Sequence, residues 1–180
     1  MDNKIKIRKV NVEDAEEFIK LHNFIWRSTY NKIFPEEVFE KRESNIENRI
    51  QTFNQNIVNK QNAISYVAEV NGKLIGLMTA KIDSNYDFFK NQQYAEIESL
   101  YIHPDYQKIG IGSKFKNVFI KWARENGVKK YVVGVLKNNF NARKVYEKWG
   151  GKLDDHTQQF VVFDVGYDEV FYTYDLEKEQ

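Results

Sequence analysis

Gln107-Lys108-Ile109-Gly110-Ile111-Gly112-Ser113 is the stretch that decides the fold. It follows a run that reads as a strand, 94–103, and opens an amphipathic run, 111–126. Glycines let successive backbone N–H groups turn toward one point, and a helix N-terminus adds positive dipole there, which is what a diphosphate needs. Lys108 and Lys114 add charge. A tight strand-to-helix turn would use the same glycines. A Walker A loop is absent. A dinucleotide fingerprint would need a third glycine where Phe115 stands, and would sit in the first βα unit rather than after four strands.

Outward from this loop, local patterns place elements on both sides. Residues 4–9 alternate and read as a half-buried strand. Asn11 caps a helix with Asp14 in its first turn, and Ala15, Phe18, Ile19, His22, Ile25 and Trp26 recur at helical spacing. Pro35 suits the first turn of a second helix, with Val38, Ile46, Ile50, Phe53 and Ile57 on its apolar side and a break at Ser44-Asn45 left open. Residues 63–70 and 73–82 read as strands joined by a type I′ turn at Asn71-Gly72. Pro104 stops the strand 94–103, and Asn126-Gly127 ends the helix 111–126. Tyr131 to Val135 is apolar enough for a strand buried on both faces. A helix over 139–148 stops at Gly150-Gly151, and strands over 158–164 and 168–175 follow with Gly166 at their turn. The order is β-α-α-β-β-β-α-β-α-β-β. Strand, helix and strand over 94–135 predict one right-handed parallel crossover in a largely antiparallel sheet. No repeat or Pro/Gly/Ser linker interrupts the chain, so a single α/β (α+β) domain over 1–180 is expected.

Composition narrows the function classes. Of 180 residues, 42% are hydrophobic and 15% aromatic, enough for a real core and too much for a disordered chain. The absence of cysteine excludes a disulfide framework, a Cys-based zinc site, an iron–sulfur cluster and a Cys nucleophile, and it fits a reducing, cytoplasmic setting. Met1-Asp2-Asn3-Lys4 has no apolar run behind it, so no signal peptide is expected. No stretch reaches the roughly 18 apolar residues of a membrane span. The net charge of +1 hides a segregation. Residues 1–106 carry 14 Lys/Arg against 16 Asp/Glu (−2), residues 107–148 carry 11 against 2 (+9), and residues 149–180 carry 2 against 8 (−6). A basic block points to an anionic ligand, either nucleic acid or a phosphorylated cofactor, and a solvated helix face is the bland alternative. No helix-turn-helix or RNA-recognition signature accompanies the block, so no nucleic-acid partner is expected.

The loop matches Gln/Arg-x-x-Gly-x-Gly/Ala, the pyrophosphate loop of the GNAT superfamily of acyl-CoA-dependent N-acetyltransferases. Upstream, Glu96 to Tyr106 resembles the family's fourth strand and its exit. Downstream, Asn139-Phe-Asn-Ala-Arg-Lys-Val-Tyr-Glu-Lys-Trp-Gly150 is similar to the family's Asn-x-x-Ala-x-x-hydrophobe-Tyr-Glu-Lys-x-Gly segment, with Gly151-Lys152 where many relatives have Gly-Phe. Trp26-Arg-Ser-Thr-Tyr30 and Ile33-Phe34-Pro35 more loosely resemble a bacterial subgroup that includes spermidine/spermine acetyltransferases. The resemblance implies a mixed, mostly antiparallel sheet of about seven strands flanked by four helices. It implies acetyl-CoA as co-substrate, no metal, and a primary amine as acceptor, with small amines or polyamines favoured.

The same resemblance assigns roles. An amine of pKa near 10 is protonated at pH 7, so a base must take a proton. Glu96 and Glu98 share one face of the strand 94–103, and either suits a base acting through water, Glu96 matching the family position better. Rim charges or ammonium anchors are the alternative. Tyr146 matches the family's general acid toward the CoA thiolate, or else is a core tyrosine. Gln107, Lys108, Ile109, Gly110, Ile111, Gly112 and Ser113 should hold the diphosphate. Leu100, Tyr101 and Ile102 should lie along pantetheine, with Asn139 and Lys148 reaching the cofactor. Trp26, Tyr30 and Phe34 line an acceptor pocket or pack the first helix. His22 on a helix, His103 before Pro104 and His156 in a loop do not form a metal site. Phe160, Phe163, Phe171 and Tyr174 serve a homodimer interface, as in family members, or the core. A non-catalytic acyl-CoA-binding regulatory module on the same fold is the rival reading.

Overall fold

The computed structural model describes residues 4–59, 62–90 and 92–178. Met1-Asp2-Asn3 and the side chain of Ile57 lie outside the described residues. The elements are β1 (Lys6–Lys9), α1 (Ala15–Tyr30), α2 (Glu36–Ser44), α3 (Ile46–Asn59), β2 (Ala63–Val70), β3 (Lys73–Lys81), β4 (Tyr94–Ile102), α4 (Ile111–Glu125), β5 (Lys130–Leu136), α5 (Phe140–Lys148), β6 (Lys152–Val162) and β7 (Val165–Asp175). The strands form a seven-stranded sheet in the order β1-β2-β3-β4-β5-β7-β6. The expected parallel pairing is present: β4 and β5 are parallel, while β1 with β2, β5 with β7 and β6 with β7 are antiparallel.

Among the described residues five α-helices stand where four were expected, because the second divides at Asn45. Asn45 leaves helical torsions (φ −102°, ψ 21°), and Pro35 is the cap of α2 rather than its first residue. The last hairpin also differs. Val162 pairs with Val165, so Phe163-Asp164 is its two-residue turn, at φ 45° and 67°, and Gly166 sits inside β7 opposite Val161. Both turn torsions are left-handed, which matches a type I′ turn without glycine. β6 begins at Lys152, earlier than its polar sequence indicated, so His156 lies in a strand and not a loop. A bulge between Leu153 and Thr157 surrounds it.

Two compact units share these elements: residues 1–79 with 99–118, and residues 80–98 with 119–180. In the first, α1 buries Phe18, Ile19, Leu21 and Ile25 against Val67 of β2 and Leu74 and Leu77 of β3. Asn11 and Asp14 bond each other's backbone N–H ahead of α1, forming a capping box. In the second, Phe89, Val132 and Phe171 form a buried cluster joined by Tyr86, Phe88 and Tyr94. Phe171 and Tyr174 are core residues there, whereas Phe160 and Phe163 are exposed.

Candidate active site

In the first unit β4 runs into the glycine loop. Leu100, Tyr101 and Ile102 are half-buried at the end of the strand. The Gln107 side-chain amide donates to the Ile102 carbonyl at 3.0 Å, so Gln107 ties the loop back to the strand. Lys108 and Gly110 take positive φ, 62° and 88°. Nothing lies within 4 Å of the position a Cβ on Gly110 would occupy. Residues 107–110 and Ser113 are exposed, and Ile111 turns inward to the core. Lys114 N–H donates to the Gly110 carbonyl, which starts α4 and leaves the preceding N–H groups of the first turn without intrahelical acceptors. An open loop with donors and two lysines fits a diphosphate group.

The acceptor-pocket candidates lie in the same unit. Trp26, Tyr30 and Phe34 are all buried. Trp26 stacks on Phe34 at 4.8 Å between centroids and meets Tyr30 and Phe39 edge-on. The Tyr30 and Tyr101 hydroxyls are 3.4 Å apart. His22 packs on the Tyr101 ring, and burial beside Arg42 and Arg49 pushes its pKa down to about 3. His103 accepts from Asp105 N–H and stacks on Phe24.

The second unit holds the carboxylates. The parallel pairing of β4 with β5 spans Tyr94–Lys130, Ala95–Tyr131 and Glu96–Val132, and ends there. Glu96 therefore marks the last paired position, and Glu98 lies beyond it. Glu96 is buried. Its carboxylate accepts from the Ser84 hydroxyl and Asn85 N–H, each at 2.9 Å, and faces Lys81 Nζ at 3.3 Å. Lys81 also meets Glu98 Oε1 at 3.0 Å, so one ammonium bridges both acids. Glu98 is exposed.

Two members of this buried cluster were not singled out in the sequence. Glu169 of β7 is as buried as Glu96, at 5% exposure. It accepts from the Gln158 side chain at 2.7 Å and the Tyr86 hydroxyl at 3.3 Å. Burial raises its pKa, and burial beside Glu169 raises that of Tyr86, so the phenol stays protonated. The available signal was Gly134, a glycine inside an apolar strand. A Cβ there would run into the Tyr86 hydroxyl and come within 2.7 Å of Glu169 Oε1.

Tyr146 is buried on α5, its ring beside Trp149 and Tyr172, and its carbonyl accepts from the Tyr174 hydroxyl at 2.9 Å. Asn139 caps α5, its Oδ1 accepting from Ala142 N–H at 3.2 Å. Lys148 is exposed at the end of that helix. Among the described residues no group of three or more His, Asp or Glu side chains is placed to hold a metal ion. No helix there is long and apolar enough to cross a membrane.

The class of protein to which the glycine loop and the carboxylates belong is identified by comparison with known proteins. The family model described as Acetyltransferase (GNAT) family matches residues 18–151. The chain belongs to that family and is an acyl-CoA-dependent N-acetyltransferase. It is 22% identical over 143 residues to a protein named as an uncharacterized N-acetyltransferase of Archaeoglobus fulgidus, covering 79% of this chain and 89% of that one. The PaiA N-acetyltransferase of Thermoplasma acidophilum, solved in complex with coenzyme A, superposes with a TM-score of 0.74 at 26% identity, covering 95% of this chain and 99% of that one. YncA of Salmonella typhimurium, solved with its cofactor acetyl-CoA, gives 0.69 at 22% identity, covering 98% and 96%.

Proposed function

We propose that the chain, acting as one domain over 1–180, transfers an acetyl group from acetyl-CoA to a small primary amine by direct attack in a ternary complex. The observation that supports this most is the open loop at the start of α4, with Gly110 at φ 88° and Lys108 and Lys114 beside it. Its N–H groups, from Lys108 to Ser113, would hold the diphosphate, and Leu100, Tyr101 and Ile102 would run beside pantetheine. Coenzyme A bound to the Thermoplasma relative and acetyl-CoA bound to YncA support the choice of co-substrate.

The acceptor nitrogen attacks the thioester carbonyl, the carbon–sulfur bond breaks, and the amine proton leaves toward a carboxylate. Glu98 is the more accessible of the two candidates. Glu96 is engaged by Ser84, Asn85 and Lys81, a pattern that suits holding the 82–93 connection in place. Tyr146 gives its phenolic proton to the departing thiolate. Polyamines belong in the acceptor panel because residues 149–180 carry a net −6. The exposed Leu153, Phe160, Val161, Phe163 and Val165 on the β6–β7 hairpin support a homodimer through that hairpin. The cysteine-free composition supports a cytoplasmic setting.

The test is acetyl-CoA-dependent thiol release against polyamines, aminoglycosides, amino acids and peptides. The chain has no cysteine, so a thiol reagent reports only released CoA. Release with one amine class is the expected result. Tyr146→Phe should then lower turnover by about 10²-fold while hardly changing acetyl-CoA affinity. Acetyl-CoA binding without release to any amine would favour the regulatory module.

A further inference from the structure

The first unit holds partly buried positive charge that has no anion among the described residues. Arg42 of α2 lies with its guanidinium carbon 3.9 Å from the centroid of the Trp26 ring, and its Nε is buried without a hydrogen-bond partner. Among the described residues it makes no ion pair. Its charged neighbour is another cation, Arg49 of α3, and burial together with Arg49 lowers the Arg42 pKa to about 10. Burial lowers Arg49 as well. Arg49 bonds Asn23 Oδ1 and lies 3.5 Å from His22 Nδ1. The Asn23 amide nitrogen is a second buried donor without an acceptor. The hydroxyls of Tyr30 and Tyr101 complete the surroundings. Arg27 of α1 shows the ordinary arrangement, paired with Glu36 and Glu43.

An unpaired buried charge is costly, and two like charges together are costlier, so a fold that keeps them leaves a place for an opposite charge. Guanidinium forks match the two oxygens of a carboxylate. Tyr101 lies on the segment of β4 assigned above to the cofactor, which puts this oxyanion site beside that segment within one unit. We infer that Arg42 and Arg49 bind a carboxylate carried by the amine acceptor, so that the substrate is an amino acid or a similar small zwitterion rather than a polyamine. This rests on the transferase reading given above.

The experiment compares matched acceptors, an amino acid and the amine left by its decarboxylation, with wild type and with Arg42→Met. Methionine keeps a flexible apolar contact with Trp26 while removing the charge. Wild type should favour the amino acid by at least about tenfold in kcat/KM, and Arg42→Met should bring that ratio close to one with the acetyl-CoA KM unchanged. Arg42→Met should melt no lower than wild type, since it removes an uncompensated buried charge. A wild-type preference for carboxylate-free amines overturns the inference. So does a ratio that survives the substitution, or a loss confined to acetyl-CoA affinity, which would assign the arginines to the cofactor. A lower melting temperature with an unchanged acceptor pattern overturns it too, in favour of a packing role.

A second arm separates this inference from the transferase reading. Malonate is added to CoA-saturated protein and the melting temperature followed. Stabilisation that Arg42→Met abolishes upholds the oxyanion site even if no amine is acetylated. Equal stabilisation of both proteins, or none, overturns it even if acetyl transfer is confirmed.

Discussion

The loop from Gln107 to Ser113 lies open and takes its shape from backbone torsion, with Gly110 at φ 88° and nothing near its missing side chain. The cluster around Glu96 and Glu169 is buried and takes its shape from side chains of β3, β4, β6, β7 and the 82–93 connection. A glycine serves each region, but for different reasons. At 110 it permits a torsion; at 134 it leaves volume for the Tyr86 hydroxyl and Glu169. Within the cluster the two acids are equally buried yet held differently. Glu96 has an ammonium, whereas Glu169 has only neutral donors among the described residues and a raised pKa. Burial alone does not set the character of a carboxylate; its partners do.

The contrast can be broken by substitution. Gly110→Val should have the largest effect: a β-branched residue is strained at that torsion, and acetyl-CoA affinity should fall by about a hundredfold. Calorimetry checks this. Little change in melting temperature should accompany it, because the loop is exposed. Retained affinity would reduce the loop to a turn. Gly134→Ala should do the reverse, costing about 2 kcal/mol of stability through overpacking, read from denaturant unfolding. An unchanged midpoint would mean that Tyr86 moves aside freely.

The smallest effects sharpen the comparison between the acids. Glu96→Gln should destabilise by about 2 kcal/mol at pH 7, since it takes the charge from three donors. Glu169→Gln should lie within about 1 kcal/mol of wild type at that pH. Its pH dependence carries the sign. A carboxyl whose pKa is raised on folding holds more protons in the native state, so wild-type stability falls as pH rises from its unfolded value through its folded one. Stability of Glu169→Gln relative to wild type should therefore grow across that range. A pH-independent difference would mean that Glu169 is not penalised by burial.

The loop was legible because its determinants are local. Two glycines, a preceding strand stopped by Pro104 and a following amphipathic helix lie within about 35 consecutive residues, and the loop and helix follow from torsion and periodicity. The Asn71-Gly72 turn and the Asn11 cap were legible for the same reason. For the acids the strand position was legible and the environment was not. Glu96 and Glu98 could be placed on one strand face, yet Ser84 and Asn85 could not be seen as partners of Glu96. Glu169 and Tyr86, 83 positions apart, gave no sign of each other. The turn at Phe163-Asp164 was misplaced to Gly166 because glycine is the usual signal for a left-handed torsion, while register with β7 chose the residues.

By itself the sequence determined the succession of seven strands, the parallel pairing of β4 with β5 and the loop, since these follow from propensities and spacings that act over a few residues. Tertiary structure decided which polar groups lose their water and which partner each then meets. It paired Glu96 with Lys81, left Glu169 to Gln158 and Tyr86, and set Arg42 beside Arg49 without an anion. The reason is physical: the cost of a buried charge depends on everything brought near it in space, and a linear pattern does not contain that distance.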